Sequence, residues 1–501
     1  MIAMRTVPKT ARKTLPLVAV LMVMAACGTR LPDRDFVQAQ QQQPGPTGAG
    51  QTTGPGGAVS TTGPQAPAGQ PGSTSGPGSS TTQTSGPSGS GQAGAGNTAS
   101  DVGVTSTTIT IGTIASKTNP FDPRAFVGPT YGLDAFVNWT NEHGGIHGRK
   151  LVLKFCDDQG SGDQNQACVH QLIDSEHVFA LASTAILDYA GAPYVNSKGV
   201  PDIGSQPIDV AFDKYPHLWE IYADDYPRDG KQFGFKGNLY GGTEVYRYFK
   251  TKFPNVPKVA GVVEYNQSAS QRYGHSVAVG LGHEGYKVDE KVVNFALPDF
   301  DSVAIDFKNK GVKYVYDTID REGNIRLCKA LDDNNVNIYA KVLTTQSWEQ
   351  SIKSDYSASP KCANELWATG YSRNYEDTQY PQVANFRQQM SADGHGDANS
   401  LSEWALEGWA GGQWLADAIA SCGADVTRKC VESYVNAGPK HPYDGHGMLA
   451  PRYFIQRSTP EEPSHNCITV VRWSNSANTW QTQAQFDHDC FDVPEYPYSA
   501  T

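Results

Sequence analysis

Hydroxyl side chains gather in three loops of the first half of the chain, each directly after a predicted β-strand. They are Ser116 and Thr118, Ser183 and Thr184, and Ser205. Ser183 and Thr184 also precede a predicted helix, where free backbone N–H groups favour an anion. These residues could together bind a carboxylate. The alternative for Ser183 and Thr184 is that one of them only caps the helix.

A second set of polar residues follows predicted strands further along the chain. It includes Tyr273, Asp317, Asp320 and Gln346. A hydroxyl-rich anion site that faces carboxylates would suit a zwitterion such as an amino acid. Asp317 could instead form a surface ion pair with Arg321.

Other groupings that could do chemistry are weak. The segment 393–399 resembles a calcium loop, but Trp404 stands where the bidentate Glu is needed. The scattered His441, His446, His465 and His488 form no helical i, i+4 pair, and neither a GxSxG nor a P-loop motif is present. Asp157 and Asp158 have no opposed carboxylate and are interpreted as a solvated strand end. We therefore predict a binding protein without metal or cofactor, and not an enzyme.

The elements that must position these residues alternate between strands and helices. Predicted strands cover 108–114, 150–156, 178–182, 200–203, 258–263, 286–293, 312–316, 338–343 and 365–370, and a hairpin covers 468–473 and 479–483. Predicted helices cover 128–142, 163–174, 187–197, 238–252, 269–283, 302–310, 322–334, 380–391, 402–421 and 427–436. This alternation predicts parallel sheets with right-handed crossovers. About 400 residues are too many for one core, so we predict two α/β lobes.

Ligands of open α/β sheets lie beyond the carboxyl ends of the strands. That rule selects the loops 116–121, 183–184, 204–206, 264–273, 317–320 and 344–346. The turn between the helix 128–142 and the next strand is glycine-rich. Gly144 and Gly145 can end the helix in the left-handed conformation, and Gly148 supports a second tight turn.

The N-terminus has the pattern of an exported lipoprotein. Four basic residues precede an apolar stretch over residues 15–26, and Ala25 and Ala26 precede Cys27. We expect a signal peptide over 1–26 and lipid on Cys27; the alternative is a plain secretion signal with an incidental cysteine. Residues 27–100, rich in Gly, Pro, Ser, Thr and Gln, predict a disordered tether.

Nine cysteines are present, so eight remain if Cys27 carries lipid. Export would place them in an oxidising compartment, where disulfides persist. Pairing of nearest neighbours predicts Cys156–Cys168, Cys328–Cys362, Cys422–Cys430 and Cys467–Cys490. The formal net charge of −11 and the lack of a basic stripe argue against a nucleic-acid partner.

Residues 141–158 carry a family resemblance. Gly144-Gly-Ile146, Gly148-Arg-Lys150 and Asp157-Asp158 follow one another as in the branched-chain amino-acid-binding family of type I periplasmic solute-binding proteins. The segments 263–266 with 273–274, and 443–447, resemble later segments of that family. The resemblance covers residues 106 to about 455. The long first loop and the Ala180-Leu-Ala182 segment depart from the family pattern.

The resemblance implies two Rossmann-like lobes joined by three hinge crossovers. We expect lobe 1 over 101–228 and 370–442, and lobe 2 over 229–369 and 443–501. Matched by position, the expected ligand-binding residues are Ser183, Thr184, Ser205, Tyr273, Asp317 and Gln346. Thr118 and Phe121, in the loop after the first strand, complete the expected set. Among them, Ser183 and Thr184 would bind a ligand carboxylate and Tyr273 would supply an aromatic wall.

The expected function is capture of a small polar solute, such as an amino acid or amide, by lobe closure. The protein would be a monomer, held at the outer face of the cell membrane by its N-terminal lipid, and would deliver the solute to an ABC-type permease. The alternative is a ligand sensor or a wall-associated interaction protein on the same fold.

Overall fold

The computed structural model describes residues 96–119, 122–222, 227–452, 454 and 464–500. The predicted signal peptide, Cys27, nearly all of the predicted tether and Phe121 lie outside these residues. Within the described part, no helix has the length and apolar character needed to cross a bilayer.

The first lobe is built on a five-stranded parallel sheet in the order β2-β1-β3-β4-β5. Its strands are β1 (Thr108–Ala115), β2 (Lys150–Asp157), β3 (Ala180–Ala182), β4 (Asp202–Ser205) and β5 (Leu218–Glu220). The helices between them are α1 (Gly128–Glu142), α2 (Gly162–His170), which continues as a π-helical turn (Gln171–Ser175), and α3 (Ala192–Ser197). A 3-10 turn (Val210–Asp213) precedes β5.

The second lobe is built on a seven-stranded sheet in the order β14-β13-β11-β10-β9-β7-β8. Its parallel strands are β7 (Val259–Tyr265), β8 (Lys287–Val293), β9 (Tyr314–Asp317), β10 (Ala340–Leu343) and β11 (Leu366–Gly370), and the antiparallel hairpin β13 (Thr469–Ser474) and β14 (Thr479–Ala484) extends one edge. Its helices are α4 (Glu244–Lys252), α5 (Ser268–His283), α6 (Phe300–Lys310), α7 (Arg321–Asp333), α8 (Ile352–Asp355) and α9 (Pro360–Ala363), with a 3-10 turn at Thr345–Ser347.

The chain returns to the first lobe after β11. The returning elements are α10 (Pro381–Ala392), α11 (Glu403–Ser421) and α12 (Arg428–Val435), followed by 3-10 turns at Gly438–Lys440 and Gly445–Gly447. Helix α11 is buried along almost its whole length between α1 and β4. The approach is close because Gly204 faces Gly411, and a Cβ at Gly204 would collide with the backbone of Gly411. Glycine at both positions therefore lets the helix pack directly on the strand end.

The last strands return to the second lobe and form two small ladders. They are β12 (Ser464–Cys467) with β15 (Cys490–Val493), and β6 (Asn238–Gly241) with β16 (Tyr496–Ser499). The predicted helix 238–252 is wrong at its start, because residues 238–241 pair with a strand about 250 residues away in sequence. The predicted helix 187–197 begins only at Ala192.

The glycine-rich turn after α1 has the predicted geometry, with φ of 97° at Gly144 and 72° at Gly145. The next motif residue, Arg149, is fully buried, and its guanidinium donates to the carbonyl oxygens of Thr105 at 2.9 Å and Ala424 at 2.6 Å. Arg149 thus ties the start of β1 to the turn after α11, because those carbonyls have no partner within a helix or sheet.

Asp158 is not a solvated strand end. It is fully buried, and its carboxylate accepts hydrogen bonds from Ser116 Oγ at 2.7 Å and Asn165 Nδ2 at 3.1 Å. Burial raises the pKa of this carboxyl. The end of β2, which was predicted to be solvated, is therefore buried, and Asp158 joins β1, β2 and α2 there.

All four predicted cysteine pairs are disulfides in the structure. They are Cys156–Cys168, Cys328–Cys362, Cys422–Cys430 and Cys467–Cys490. Each lobe contains two of them. The first ties β2 to α2, which are neighbours in sequence.

Candidate functional site

A cavity of about 370 Å³ lies where the carboxyl ends of the two sheets face each other. We call it the cleft cavity. Its lining residues are Asn119, Phe126, Leu187, Gln206, Pro207, Ile208, Tyr222, Tyr265, Gln267, Ala269, Ser270, Tyr273, Phe295, Thr318, Ile319, Asp320, Thr344, Thr345, Gln346, Tyr371 and Trp404. Most of them follow the last residue of a parallel strand, as the rule for open α/β sheets requires.

The first-lobe wall is largely apolar. Residues 206–208 follow β4, Leu187 lies in the loop after β3, and Tyr222 follows β5. Phe126 and Trp404 complete this wall, with ring centroids 6.3 Å apart and ring planes tilted by 40°. Trp404 is held at the start of α11, where the side chain of Ser402 caps the helix by accepting from Ala405 N.

The second-lobe wall combines aromatic rings with short polar side chains. Tyr265, the last residue of β7, packs edge-on against Phe295 with ring centroids 4.9 Å apart. The first turn of α5 reaches the cavity through Ala269 and Ser270.

The charge balance of the lining is unusual for a site that would hold a carboxylate. Among the described residues that line the cavity, none is Lys, Arg or His, and Asp320 is the one carboxylic acid. Asp320 Oδ1 accepts from Gly323 N at 2.7 Å, as the N-cap of α7, and from Tyr265 Oη at 3.0 Å. Burial raises the pKa of Asp320. Its carboxyl thus already has partners within the protein.

A second buried acid stands behind the cavity wall. Glu407 of α11 accepts hydrogen bonds from Gln206 Nε2 at 2.8 Å, Tyr222 Oη at 2.9 Å and Ser372 Oγ at 3.0 Å. Burial raises the pKa of Glu407 to about 7. Glu407 therefore positions two lining residues, one of which, Tyr222, follows the last strand of the first lobe.

Hydrogen bonds join the two lobes directly around the cavity. Tyr273 Oη donates to the carbonyl oxygen of Pro207, and Gln346 Nε2 donates to the carbonyl oxygen of Ala125 at 2.9 Å. Trp404 Nε1 donates to Thr345 Oγ1 at 3.1 Å. The structure is therefore a closed form, in which both lobes contact each other around the cavity.

Ion pairs add to the closure at the rim. Asp122 and Arg124 of the first lobe lie opposite Arg321 and Asp355 of the second. Arg124 contacts Asp355 at 2.7 Å, Arg321 contacts Asp355 at 2.9 Å, and Arg321 contacts Asp122 at 3.3 Å. All four side chains are at most about a quarter exposed, so solvent screens these pairs less than surface pairs.

Two of the predicted ligand-binding residues, Tyr273 and Gln346, line the cleft cavity. The predicted first-lobe hydroxyls do not. Ser183, with a left-handed φ of 51°, donates from Oγ to the carbonyl oxygen of Gly408 at 2.8 Å. Ser205 Oγ donates to Asp202 Oδ1 at 2.5 Å and accepts from Thr184 N at 2.8 Å. These hydroxyls are fully buried; Ser183 ties the end of β3 to α11, and Ser205 ties Thr184 to Asp202 of β4.

The structure places two other predicted ligand-binding residues, Asp317 and Thr118, away from the cavity as well. Asp317 forms a fully buried ion pair with Lys341 and also accepts from Asn324 Nδ2 at 3.0 Å, so it does not pair with Arg321. Thr118 is exposed, and its Oγ1 donates to Asp157 at 2.7 Å. Phe121 lies outside the described residues.

The apolar and aromatic residues that line the cavity walls were not predicted from the sequence. They are Phe126, Leu187, Ile208, Tyr222, Phe295, Tyr371 and Trp404. Three of them could have been found from the sequence, because they are aromatic residues that closely follow the end of a strand. They are Tyr222, Phe295 and Tyr371. Among the described residues, one group has side chains of metal-binding type, His465 with Cys467 and Cys490. Those two cysteines form a disulfide, which removes the thiolates that a metal would need.

Comparison with known proteins identifies the architecture. The family model described as periplasmic binding protein matches residues 108–478. No curated protein sequence matches the chain significantly.

Solved structures share the fold at low sequence identity. The fatty acid ABC transporter substrate-binding protein from Thermomonospora curvata is 13% identical, with a TM-score of 0.58 over 78% of this chain and 94% of that one. The branched-chain amino acid transporter substrate-binding protein from Streptococcus pneumoniae, in complex with isoleucine, is 14% identical, with a TM-score of 0.55 over 78% of this chain and 100% of that one. A solute-binding protein from R. palustris in complex with benzoate is 14% identical, with a TM-score of 0.55 over 75% of this chain and 96% of that one.

Proposed function

Because the chain belongs to the periplasmic binding protein family and has its type I fold, we propose that it is the solute-binding component of an ABC-type importer. The observation that carries this proposal is the cleft cavity, which is closed between two lobes by hydrogen bonds from both sides. A cavity of about 370 Å³ falls in the range of small-molecule sites.

The charge of the lining indicates the kind of solute. A ligand carboxylate in this cavity would find no Lys, Arg or His among the described lining residues, and the charged group among them is the acid Asp320. Burying a charge without a partner is costly. We therefore infer an uncharged solute. This revises the expectation of an amino acid, which rested on hydroxyls that the protein uses internally.

The walls indicate the shape and polarity of the solute. Seven aromatic side chains line the cavity, among them Phe126, Trp404, Tyr265 and Phe295. Rings of this kind favour an apolar or flat ligand surface. The amide of Gln267, a lining residue, can donate to or accept from one neutral oxygen or nitrogen. The inferred solute is thus a neutral, mainly apolar molecule with a small polar group.

Solute capture would proceed by lobe closure. The bonds Tyr273–Pro207, Gln346–Ala125 and Trp404–Thr345 form only when the lobes meet. A solute that contacts both walls binds the closed form better and shifts the population toward it. To move a closed fraction from 1% to 99%, the solute needs about 5.5 kcal/mol of preference for the closed form. Burial of one aromatic ring together with a hydrogen bond can supply most of that.

The test is thermal unfolding with sets of compounds that share a hydrocarbon group and differ in the polar group and its charge. One set is benzyl alcohol, benzoate and benzylamine; the other is hexanol, hexanoate and hexylamine. A bound compound at 100 times its dissociation constant should stabilise the protein by about 2.7 kcal/mol. We expect this from the neutral members alone. Stabilisation by the acids would contradict the inference that the solute is uncharged. Stabilisation by the amines would mean that Asp320 binds a cationic group of the ligand.

Two tryptophan variants test whether the compounds bind in the cleft cavity. Trp404→Ala should abolish the stabilisation by benzyl alcohol, while Trp139→Ala, which removes a half-buried tryptophan on α1 outside the cavity, should leave it intact. Equal responses of the two variants would place binding elsewhere. If no compound of a broad neutral panel changes the melting temperature of the wild type, the importer proposal fails.

We also propose that the protein is a monomer outside the cytoplasm, anchored through lipid on Cys27, so that the lobes reach a membrane permease. A Cys27→Ser variant should move from the membrane fraction to the soluble extracytoplasmic fraction. Retention of that variant in the membrane would contradict lipid anchoring at Cys27.

A further inference from the structure

A second cavity, of about 230 Å³, lies in the second lobe next to the cleft cavity. We call it the inner chamber. Its lining residues are Tyr222, Val245, Tyr246, Val277, Tyr316, Asp317, Val342, Leu343, Thr344, Thr345, Thr369, Gly370, Tyr371 and Ile468. It sits between the ends of β9, β10 and β11 on one side and the helices α4 and α5 on the other. No residue of the first-lobe sheet contributes to it.

The two cavities adjoin. Tyr222, Thr344, Thr345 and Tyr371 line both of them and therefore form their common boundary. The rings of Tyr222 and Tyr371 meet edge-on with centroids 5.8 Å apart.

Buried carboxylates fix both rings at this boundary. Tyr222 Oη donates to Glu407 at 2.9 Å, and Tyr371 Oη donates to Glu244 at 2.6 Å. The boundary is thus a pair of anchored rings beside two threonines. The two cavities share these side chains as a common wall.

The inner chamber has aliphatic side chains on two of its walls, beside the hydroxyl groups of its tyrosines and threonines. Tyr316 and Val342 are paired in the register of β9 and β10, so their side chains share one face of the sheet. Val245 and Val277 close the chamber from α4 and α5. The charged exception, Asp317, is already neutralised by Lys341.

The inner chamber adjoins the cleft cavity and shares four lining residues with it, so the two can serve as parts of one site. Its aliphatic side chains can contact the hydrocarbon of a ligand, and each buried CH₂ group contributes about 0.8 kcal/mol.

We propose that the inner chamber is a second subsite, which receives the hydrocarbon chain of an elongated, uncharged ligand whose polar group stays in the cleft cavity. This inference rests on the proposed function, because it assigns a ligand class to the same binding site. The ligand class is a neutral amphiphile, such as a long-chain alcohol, amide or ester. The chain would extend from the cleft cavity into the inner chamber alongside the Tyr222–Tyr371 ring pair and the two threonines.

The test is calorimetric titration of the purified protein with straight-chain primary alcohols from 1-pentanol to 1-dodecanol. Each added methylene that enters an apolar site should lower the dissociation constant about fourfold. We expect this gain to continue along the series and then to stop where the chamber is full. Affinity that is independent of chain length from 1-pentanol onward would overturn the proposal.

Two variants of helix α5 test whether the gain in affinity with chain length depends on the inner chamber. Val277→Trp fills the chamber and should end the affinity gain several carbons earlier, with at least a tenfold loss for 1-dodecanol and no change for 1-pentanol. Val279→Trp is the control, because Val279 is also half-buried on α5 but does not line the chamber. Identical series from the two variants would overturn the proposal. If Val277→Trp does not fold, Val245→Phe fills the chamber from α4.

A crystal structure with 10-bromo-1-decanol gives a direct readout. The anomalous signal of bromine should lie between Val277 and Val342. Bromine at the rim of the cleft would overturn the subsite. If 1-pentanol and the other short neutral probes also fail to bind, the proposed function fails as well; binding of short probes without any chain-length effect rejects only the subsite.

Discussion

Substitution of Glu407 by Gln tests how the protein holds the wall of its cleft cavity. The carboxyl group of Glu407 is fully buried and accepts three side-chain hydrogen bonds, and burial raises its pKa from 4.5 to about 7. The folded state therefore binds this proton more tightly than the unfolded state. The contribution of Glu407 to stability is present below about pH 4.5 and is lost as pH rises through 7.

The size of this effect follows from the shift in pKa. A difference of about 2.5 between the pKa values of the two states corresponds to about 3 kcal/mol at pH 8. An amide in place of the carboxyl removes the charge and keeps the shape. Glu407→Gln should therefore be more stable than the wild type at pH 8 by up to about 3 kcal/mol, and about equally stable at pH 4.5.

Urea unfolding at pH 4.5, 6 and 8 measures the effect. Asp202 and Glu349 are also buried, with pKa values raised by burial to about 6 and about 7, so the wild type keeps a slope of the same sign from those groups. The informative quantity is thus the difference between variant and wild type at each pH. Glu142→Gln, at an exposed position of α1, is the control. A pH-independent difference for Glu407→Gln would refute the reasoning.

Three further predictions concern the buried ion pair, the lobe contacts and a disulfide. Lys341→Met leaves the carboxylate of Asp317 buried without its cation and should cost about 3–5 kcal/mol in urea unfolding, whereas a loss below 1 kcal/mol would mean that the pair contributes little. Arg321→Gln removes the ion pair with Asp122 that joins the lobes and should increase the radius of gyration of the ligand-free protein in small-angle scattering; an unchanged radius would argue against a role in closure. Replacement of Cys328 and Cys362 by Ser opens a loop of 34 residues and should cost about 4 kcal/mol in guanidinium unfolding, with an unchanged midpoint as the contrary result.

Helices, strands and turns could be predicted from the sequence where the residues that define them are close together in the chain. The helix at 128–142 and the glycine turn after it have the predicted bounds and backbone angles, because glycine alone adopts that turn without strain. The cysteine pairs also followed from nearness in sequence. By contrast, the strand 238–241 looked helical, because its partner strand at 496–499 lies at the other end of the chain.

The site was predicted at the level of loops but not of side chains. Loops 264–273, 317–320 and 344–346 do line the cavity, because the topology of a parallel sheet fixes where its strands end. Which side chain of a loop turns inward depends on packing that the sequence does not display. Ser183 shows this, since its left-handed backbone directs its hydroxyl to the backbone of α11 and away from the cavity.

The apolar walls could not be separated from core residues in the sequence. Trp404 and Phe126 have the composition of a hydrophobic core, and only the meeting of the two lobes exposes them to a cavity. The same holds for the inner chamber, whose valines look like ordinary core positions on α4 and α5. A void cannot be predicted from composition, because it is a property of how side chains fill space.

The ratio of the dissociation constants of benzyl alcohol and benzoate at pH 7, measured by titration calorimetry, tests the central claim most directly. Both compounds have one ring and differ in the charge of the polar group. The absence of a cationic partner in the described lining predicts that benzyl alcohol binds at least 100-fold more tightly. Equal affinities, or tighter binding of benzoate, would contradict the conclusion that the cleft cavity captures an uncharged solute.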